Sequence, residues 1–567
     1  MPDEKNPSTL RRFVPILTWL PRYQKAWLSR DVIAGFTIWG LLIPEMIAYA
    51  GLAGLPPQAG LYTLLASLTL YAIFGTSKQL VVAGTSASAV LVFSAVTALH
   101  PKSPGHYAEL AAAVVLIAGI FFIISGLLKL GFITQFLSRP VMGGFVFGLA
   151  IFVTVGQIPK IFGIEKGGGD TIRQFVHILM NLGSTSVITL VIGASALVIL
   201  FGLEHFASRV PGGLVVLALG IGVSSLFDLS SHGVETVGKI PTGLPTVTVP
   251  PLQLEELWVL IPSAIGMMLV IFSEALGAGQ TFADKHRYRI DPDQEMIALG
   301  AANIGSGLLG GLASGGSLSQ SAVNDGAGAQ SEMSPLVATG LSIVTVIALT
   351  PLFKNLPEAV LGALIIHAVS HLMRVGEMRT YYRLAPQEFA LGILTLSSVL
   401  VFDVLPALII GVTTSILLLV YRASRPRVSV LGTNPALPGT FLDIGRHPQA
   451  VPIPGILAVR PVTQLFYANA QAVVDAIEKH VADAHDHVSA VVIDLDATDA
   501  IDITTAEQLN KLAEALEREH IPLALAHTHQ PTVSLARKAG LLSKIGVDHV
   551  FPNVGSAVEW AKAQPKQ

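Results

Sequence analysis

Two short, hydroxyl-rich stretches far apart in the chain combine residue types and spacing that could bind an anion. One is residues 83–90, AGTSASAV, and the other is residues 314–323, SGGSLSQSAV. Each is a turn of small residues that opens a weakly apolar segment. A helix that begins partway through a bilayer directs its free N–H groups and positive dipole end at whatever lies in front of it. Two such starts facing each other predict a small-anion site near the midplane, as in transporters built from inverted repeats.

Two acidic residues lie in apolar sequence, where a charge is costly unless it is protonated, paired or facing water. Glu45 follows Pro44, which removes a backbone donor and bends or breaks a helix. Because ionisable residues inside a membrane are functional by default, we expect Glu45 to carry a coupled proton. The alternative is a glutamate at the end of a span that reaches the interface. Glu274 has the same two interpretations. The interfacial one is supported by the basic loop 285–289, which lies within about three helical turns of Glu274.

Other candidate chemistry is weaker. His367 and His371 lie one helical turn apart, but a two-histidine metal site needs further ligands and the spacing places none. We therefore interpret them as residues of a polar face or an interface. The chain contains no cysteine, which excludes disulfides, thiolate metal sites and cysteine nucleophiles. No nucleophile–base pair or phosphate loop indicates an enzyme, and we expect no catalytic residue, metal or cofactor.

The composition indicates that much of the chain lies in lipid. Of its 567 residues 51% are hydrophobic and only 13% are charged, whereas soluble domains carry about 25% charged residues. The net charge of −3 is too small to indicate a nucleic-acid partner. The N-terminus lacks an apolar segment that ends in a small-residue cleavage site, so no signal peptide is predicted.

Apolar segments fall into two sets of seven, and the third and tenth are too short to cross a bilayer alone. Short segments in corresponding positions of two halves are typical of a transporter site. The predicted spans are 32–50, 58–74, 85–98, 108–128, 133–156, 184–203 and 211–228, then 258–277, 293–311, 316–326, 332–352, 356–373, 386–402 and 404–422.

Basic residues predict the orientation of these spans. They are concentrated before residue 31 and in loops 129–139, 285–289 and 374–383, which an even alternation places on one side. Lys160 and Lys166 oppose this pattern. We expect both termini to be cytoplasmic.

After Arg422 the composition becomes that of a soluble protein, with alternating strand and helix patterns. Such alternation indicates a sheet packed on helices. Thr504 and Glu507 have the spacing of a capping box. The predicted strands are 455–460, 490–495 and 522–526, and the predicted helices are 470–482, 504–520 and 530–544. The predicted domains are an N-terminal segment 1–29, a transmembrane domain 30–423, a linker 424–440 and a soluble domain 441–567.

The chain resembles the SulP anion permeases, a family that includes the solute-carrier sulfate and anion transporters and prestin. The resemblance rests on residues 30–62, with RDVIAG, IPEMIAYA and AGLPPQAGLY, and on residues 303–328, with GSLS and AVN. It implies an α-helical membrane protein with fourteen spans in two inverted repeats of seven, divided into core and gate domains. It also implies a homodimer and elevator-type alternating access. Residues 494–506, DLDATDAIDITTA, resemble the signature of the α/β STAS domain.

The resemblance also implies a site, between the starts of the third and tenth helices. Tyr49 and Glu274 would complete this pocket. Many animal members have an arginine after the tenth-helix serine motif, where this chain has the uncharged Gln320, which we expect to matter less. Some relatives have glutamine in place of Glu45, and an acid there resembles the members that couple anion uptake to protons. The substrate-binding residues that the motifs indicate are Thr85, Ser86, Ala87, Ser317, Leu318 and Ser319.

We therefore expect a multi-pass secondary transporter of the bacterial inner membrane that carries sulfate by proton-coupled symport. Bicarbonate or a dicarboxylate such as fumarate are alternative substrates, and an uncoupled exchanger or channel is an alternative mechanism. A membrane scaffold that displays a STAS domain is the alternative from another class, but it would need neither Glu45 nor the hydroxyl-rich turns. The expected partners are the anion, protons, lipid and a second copy of the chain, without nucleic acid.

Overall fold

The structure is a computed structural model that describes residues 13–132, 138–168, 171–207, 210–241, 243–402, 404–437, 439–484 and 487–564. Three of the basic residues before residue 31 that predict the orientation of the spans, Lys5, Arg11 and Arg12, lie outside the described residues. The chain divides into two compact units, Met1–Ser415 and Ile416–Gln567.

The first unit is a bundle of apolar helices preceded by a short helical segment, Ile16–Trp19. In the described part of the chain, eight helical stretches are long and apolar enough to cross a membrane. The elements of the first half are α1 Leu28–Leu52, α2 Pro57–Phe74, β1 Val81–Gly84, α3 Ser86–Thr97, α4 Pro104–Leu127, α5 Arg139–Phe162, α6 Thr171–Met180, α7 Val187–Phe206 and α8 Gly212–Phe227.

The second half repeats the motif of a short strand followed by a short helix. Its elements are α9 Leu254–His286, α10 Pro292–Leu308, β2 Ser314–Ser317, α11 Leu318–Gly326, α12 Met333–Val344, α13 Glu358–Ser370, α14 Val375–Leu384, α15 Pro386–Phe402 and α16 Val404–Ser424. After α12 the chain continues through a π-helical turn, Thr345–Leu349, and a 3₁₀ segment, Thr350–Asn355.

Each predicted apolar segment coincides with a helix, and the differences have local causes. The fifth segment is shifted: α5 begins at Arg139 with Pro140 in its first turn and ends before Gly163, whose φ is 65°. Proline at a helix start and left-handed glycine after its end are strong boundary signals. Residues 133–137 of that prediction lie outside the described residues. The amphipathic helices α6 and α14 were not predicted, and α1 continues through Pro44 without a break.

Helix α1 packs closely against α2. A Cβ atom added to Gly60 of α2 would lie only 1.9 Å from the carbonyl oxygen of Met46, so a residue larger than glycine does not fit there. Small residues allow this approach between membrane helices. Met46 also touches the strand that precedes α3, since a Cβ on Gly84 would lie 3.1 Å from its sulfur. The segment of α1 that carries Glu45 is thus packed tightly against both α2 and β1.

The second unit contains a six-stranded mixed sheet with strand order β4-β3-β5-β6-β7-β8. The pairs β5–β6, β6–β7 and β7–β8 are parallel, and β3 is antiparallel to both β4 and β5. Its elements are β3 Val428–Thr433, β4 Phe441–Asp443, β5 Ile456–Pro461, α17 Ala470–Ala482, β6 Ala490–Asp494, α18 Ile503–Arg518, β7 Leu523–Ala526, α19 Gln530–Lys538, α20 Leu541–Ile545, β8 Val550–Phe551 and α21 Val554–Lys562.

Three details of the soluble part differ from the sequence expectation. The segment 424–440, predicted as a linker, contains β3, whose residues 428–431 pair with residues 458–461 of β5. The predicted helix 530–544 is two helices, since Gly540 between them has a φ of 81°. Asp502, rather than Thr504, caps α18 and accepts a hydrogen bond from the Thr505 N–H at 2.8 Å.

Candidate functional site

The two hydroxyl-rich turns form one structural unit, because β1 and β2 pair as an antiparallel ribbon. Val81 lies opposite Ser317 and Gly84 lies opposite Ser314. Helices α3 and α11 begin directly after these strands, so they start at opposite ends of the ribbon. Each strand has four residues, so three residue-to-residue steps, or about 10 Å, separate the two helix starts. The two turns that the sequence analysis singled out are therefore joined in the structure, and their role as one anion site stays a prediction.

At the start of α3, most hydroxyl groups are committed to holding the turn. Thr85 and Ser88 form a reciprocal capping box, with distances of 3.0 and 3.1 Å between backbone nitrogen and hydroxyl oxygen. The Ser88 hydroxyl also donates to the Ala313 carbonyl at 2.7 Å. Among the described residues, the Ser86 hydroxyl has no such partner. Ser86 and the buried Ala87 stand in the first helical turn, where N–H groups lack intrahelical acceptors.

The start of α11 is more open than the start of α3. Ser317 is the N-cap, and its hydroxyl oxygen accepts a hydrogen bond from the Gln320 N–H at 3.4 Å. The Ser317 and Ser319 hydroxyl oxygens lie 3.0 Å apart. Leu318 and Ser319, the first two residues of this helix, are exposed. A helix start leaves its first N–H groups without intrahelical acceptors, and here, among the described residues, only that of Gln320 has a side-chain acceptor.

Gln320 joins this helix start to Glu45, a contact that the sequence reasoning missed. Its Nε2 atom donates to Glu45 Oε2 at 2.8 Å and to the Gly84 carbonyl of β1 at 3.3 Å. The Gln320 side chain is 1% exposed, and its Oε1 atom has no hydrogen-bond partner in the described structure. The amide of Gln320 thus links α1, β1 and α11, and the expectation that Gln320 matters less than its neighbours for anion binding stays a prediction. The one sequence feature that could have indicated this contact with Glu45 is the position of Gln320 in the first turn of α11, beside the serine motif.

Tyr49 and Glu274 lie on two further helices around the ribbon. Tyr49 is one turn beyond Glu45 on α1 and is 5% exposed. Glu274 is half-buried on α9, and within the described ranges it forms no hydrogen bond or ion pair. Its neighbours Ile271 and Ala275 contact β2: a Cβ on Gly315 would lie 2.9 Å from Ile271, and one on Gly316 would lie 3.0 Å from Ala275. The Glu274 carboxylate is therefore carried on a segment packed against the ribbon.

Buried polar side chains fix the ribbon itself. Asn303 on α10 exchanges two hydrogen bonds with the backbone of Ser314, both 2.9 Å long. The Ser321 hydroxyl accepts from the Val81 N–H at 2.8 Å, and the Asn324 amide donates to the Gln79 carbonyl at 3.1 Å. Satisfied buried polar networks specify a unique arrangement. These contacts hold the register that places the starts of α3 and α11 at the two ends of the ribbon.

Comparison with known families matches most of the chain. Residues 28–395 match the sulfate permease family and residues 447–557 match the STAS domain. A probable sulfate transporter of Mycobacterium tuberculosis is 32% identical over 96% of this chain and 99% of the relative. Probable sulfate transporter 4.2 of Arabidopsis thaliana is 30% identical over 96% of this chain and 83% of the relative.

Solved structures share the fold. The murine solute carrier 26 family member A9 anion transporter, in its inward-facing state, superposes with a TM-score of 0.91 at 22% identity, over 99% of this chain and 96% of that chain. The transmembrane domain of a cyanobacterial bicarbonate transporter gives 0.60 at 23% identity, over 69% of this chain and 98% of that chain. These matches establish a multi-pass helical membrane fold followed by an α/β STAS region.

Proposed function

Because this chain belongs to the sulfate permease family, which comprises transporters and not enzymes, we propose that it carries sulfate across the membrane together with protons. The observation that carries the proposal is the hydrogen bond between Gln320 and Glu45 at the start of α11. It connects the acid expected to hold the coupled proton to the ribbon from which both short helices begin. The proposed substrate follows the relatives, which are named as sulfate transporters.

In this proposal the anion lies between the starts of α3 and α11. Hydroxyl and N–H donors face it from both helices, and Tyr49 and Glu274 complete the pocket. Thr85 acts mainly through its cap, which fixes the direction of the α3 N–H groups. The proposed ligands are Ser86, Ala87, Ser317, Leu318 and Ser319.

Charge supports coupling to protons. The proposed site contains two carboxylates, Glu45 and Glu274, and none of its members is a lysine or an arginine. Two unit charges about 4 Å apart repel by about 4 kcal/mol at an effective dielectric constant of about 20. A divalent anion beside an ionised carboxylate is opposed by roughly twice that free energy. Protonation of Glu45 removes this repulsion, so binding of the anion and binding of the proton favour each other.

Gln320 can respond to the protonation state of Glu45, because its amide carries a donor at one end and an acceptor at the other. In the arrangement observed, Nε2 donates to the Glu45 carboxylate. When Glu45 is protonated, its O–H can instead donate to Gln320 Oε1, the atom that now lacks a partner. That exchange rotates the amide and alters its bond to the Gly84 carbonyl, so the proton on Glu45 changes the contacts of β1.

The transport cycle and the assembly that we propose follow from the resemblance to the family. We propose residues 30–423 as the transport domain, with a core that contains the ribbon and moves by an elevator mechanism against a gate. The proposed assembly is a homodimer in a bacterial inner membrane with both termini in the cytoplasm. The proposed role of the STAS domain is to tune transport, trafficking or dimerisation.

Uptake of radiolabelled sulfate into liposomes that contain the purified full chain tests this function. An inward proton gradient should accelerate uptake, and unlabelled sulfate should compete better than bicarbonate or fumarate. Sulfate flux that ignores the gradient would identify an exchanger or channel instead. Flux of bicarbonate or fumarate without sulfate would reassign the substrate, and the absence of all anion flux in folded protein would favour the scaffold.

A further inference from the structure

Three side chains outside the proposed anion site converge at the ends of α7 and α13. Glu204 lies in the last turn of α7, and His367 and His371 lie one turn apart at the end of α13. His367 Nε2 is 3.0 Å from Glu204 Oε2, and His371 Nε2 is 2.7 Å from Glu204 Oε1. In the described part of the chain these three offer ligand atoms that all lie within 4.8 Å of one another.

The hydrogen bonds around His371 restrict what can occupy this cluster. Its Nδ1 lies 2.9 Å from the His367 carbonyl oxygen, an acceptor, so Nδ1 carries a proton. Its Nε2 faces a carboxylate oxygen, another acceptor. With the proton on Nδ1, Nε2 is the ring nitrogen that can bind a metal ion. An imidazole that donates one N–H to a backbone carbonyl is oriented as metal-ligating histidines usually are.

We propose that Glu204, His367 and His371 form a binding site for a divalent transition-metal ion of the Zn²⁺ class that joins α7 to α13. Two imidazoles and one carboxylate are the ligand types that Zn²⁺, Co²⁺ and Ni²⁺ bind, whereas Mg²⁺ and Ca²⁺ prefer oxygen ligands. Three protein ligands leave at least one coordination position for water or another ligand.

The side chains are accessible enough to admit an ion and to adjust to it. Their exposed fractions are 46% for Glu204, 45% for His371 and 22% for His367. Metal–ligand bonds of about 2.0–2.2 Å require the carboxylate and imidazole atoms to move slightly apart. The ring of Phe201, centred 5.0 Å from that of His367, supports this histidine from the α7 side.

Metal binding by the purified full chain tests the proposal independently of transport. Zn²⁺ is titrated against a competing chromophoric chelator, and Co²⁺ is added separately to record its visible absorption, which reports a nitrogen–oxygen ligand set of low coordination number. The variants are Glu204→Gln and His371→Asn. The matched control is His205→Gln, since His205 is exposed, adjacent to Glu204 and in edge-to-face contact with Phe206, with ring centroids 4.7 Å apart.

Loss of an outer-shell partner alone weakens metal binding by about tenfold to a hundredfold, so we expect each cluster variant, which loses a direct ligand, to weaken Zn²⁺ binding by at least that much and to lose the Co²⁺ absorption, with the control unchanged. Zn²⁺ should also raise the thermal midpoint of the wild-type chain and not that of the variants, because a ligand stabilises the state that binds it. No Zn²⁺ binding by the wild type would show that the cluster is an ion pair without a metal. Equal weakening in His205→Gln, or full binding in both cluster variants, would place the metal at another of the 16 histidines.

Discussion

Gln320 Nε2 lies 2.8 Å from Glu45 Oε2, and the same nitrogen lies 3.3 Å from the Gly84 carbonyl oxygen. One buried amide thus touches the acid of α1, the strand before α3 and its own helix α11. Any change in the charge of Glu45 alters the hydrogen bond that this amide makes. In the proposed mechanism this contact is the route by which a proton on Glu45 affects an anion between the two helix starts.

Replacing Glu45 by Gln should abolish the dependence of uptake on an inward proton gradient while leaving sulfate exchange. Glutamine has nearly the shape of a protonated glutamate, so the site keeps its geometry but loses the titrating group. The measurement is radiolabelled sulfate uptake with and without a pH gradient, beside counterflow at equal pH. Unchanged gradient dependence in folded Glu45→Gln protein would remove Glu45 from the coupling mechanism.

Replacing Gln320 by Arg should strengthen anion binding and weaken its proton dependence. A guanidinium here would lie beside Glu45 and supply the positive charge that the proton otherwise brings. Sulfate affinity is measured by isothermal titration at several pH values, with exposed Gln280→Arg on α9 as the control for an added charge. Retained pH dependence in Gln320→Arg would argue against Gln320 as the link between proton and anion. Size-exclusion profiles and thermal midpoints identify a variant that fails to fold.

Replacing Ser319 by Ala should weaken anion binding by about tenfold to a hundredfold. A hydrogen bond to a charged group contributes about 1.5–3 kcal/mol, and about 1.4 kcal/mol corresponds to tenfold. The control is Ser195→Ala, since the exposed Ser195 hydroxyl donates only to the Ile192 carbonyl of its own helix. Normal affinity for sulfate, bicarbonate and fumarate in Ser319→Ala would mean that the site is misplaced.

Replacing Asp502 by Ala should loosen the start of α18. Burial acts to raise the pKa of Asp502, but hydrogen bonds from the Thr505 and Tyr467 N–H groups outweigh it and leave the pKa below its usual value. A carboxyl whose pKa is lower in the folded state than in the unfolded state stabilises the fold at any pH above its unfolded-state pKa. This stabilisation is lost as the pH falls through the folded-state pKa. Loss of an N-cap destabilises a helix by about 1 kcal/mol. The first amides of α18 should therefore exchange their hydrogens roughly fivefold faster at neutral pH, and this exchange rate is the measurement.

That difference in exchange should shrink in acid, where Asp502 is protonated in the wild type as well. Thr504→Ala is the matched control, because Thr504 is exposed and does not cap the helix. Equal exchange in wild type and Asp502→Ala at neutral pH would contradict the assigned cap.

Truncation after Ser424 should leave sulfate binding intact while lowering expression or turnover. This cut removes the whole sheet, including β3 at Val428–Thr433, and every proposed anion ligand lies before it. Sulfate binding to the truncated protein is measured after its oligomeric state and folding have been checked. Loss of binding in well-folded truncated protein would show that the soluble domain contributes to the site.

Much of the fold could be predicted because its signals are local. Long apolar runs, hydroxyl-rich turns and alternating strand and helix patterns each act over a few residues, so helices coincide with the predicted segments. Boundaries were missed where single residues decide them, as at Gly163, Gly540 and Asp502. The residues of the proposed anion site were named from motifs, and their roles as ligands remain predictions.

By itself the sequence determined the membrane class, the family motifs, the two short helix starts and the acids within apolar segments. Only the tertiary structure decided the register of the β1–β2 ribbon, the contact of Gln320 with Glu45, and the approach of Glu204 to the two histidines. The last two contacts join residues 275 and 163 positions apart along the chain. Such pairings depend on how the helices pack and on which side chains that packing brings together, and no local pattern of residues encodes that geometry.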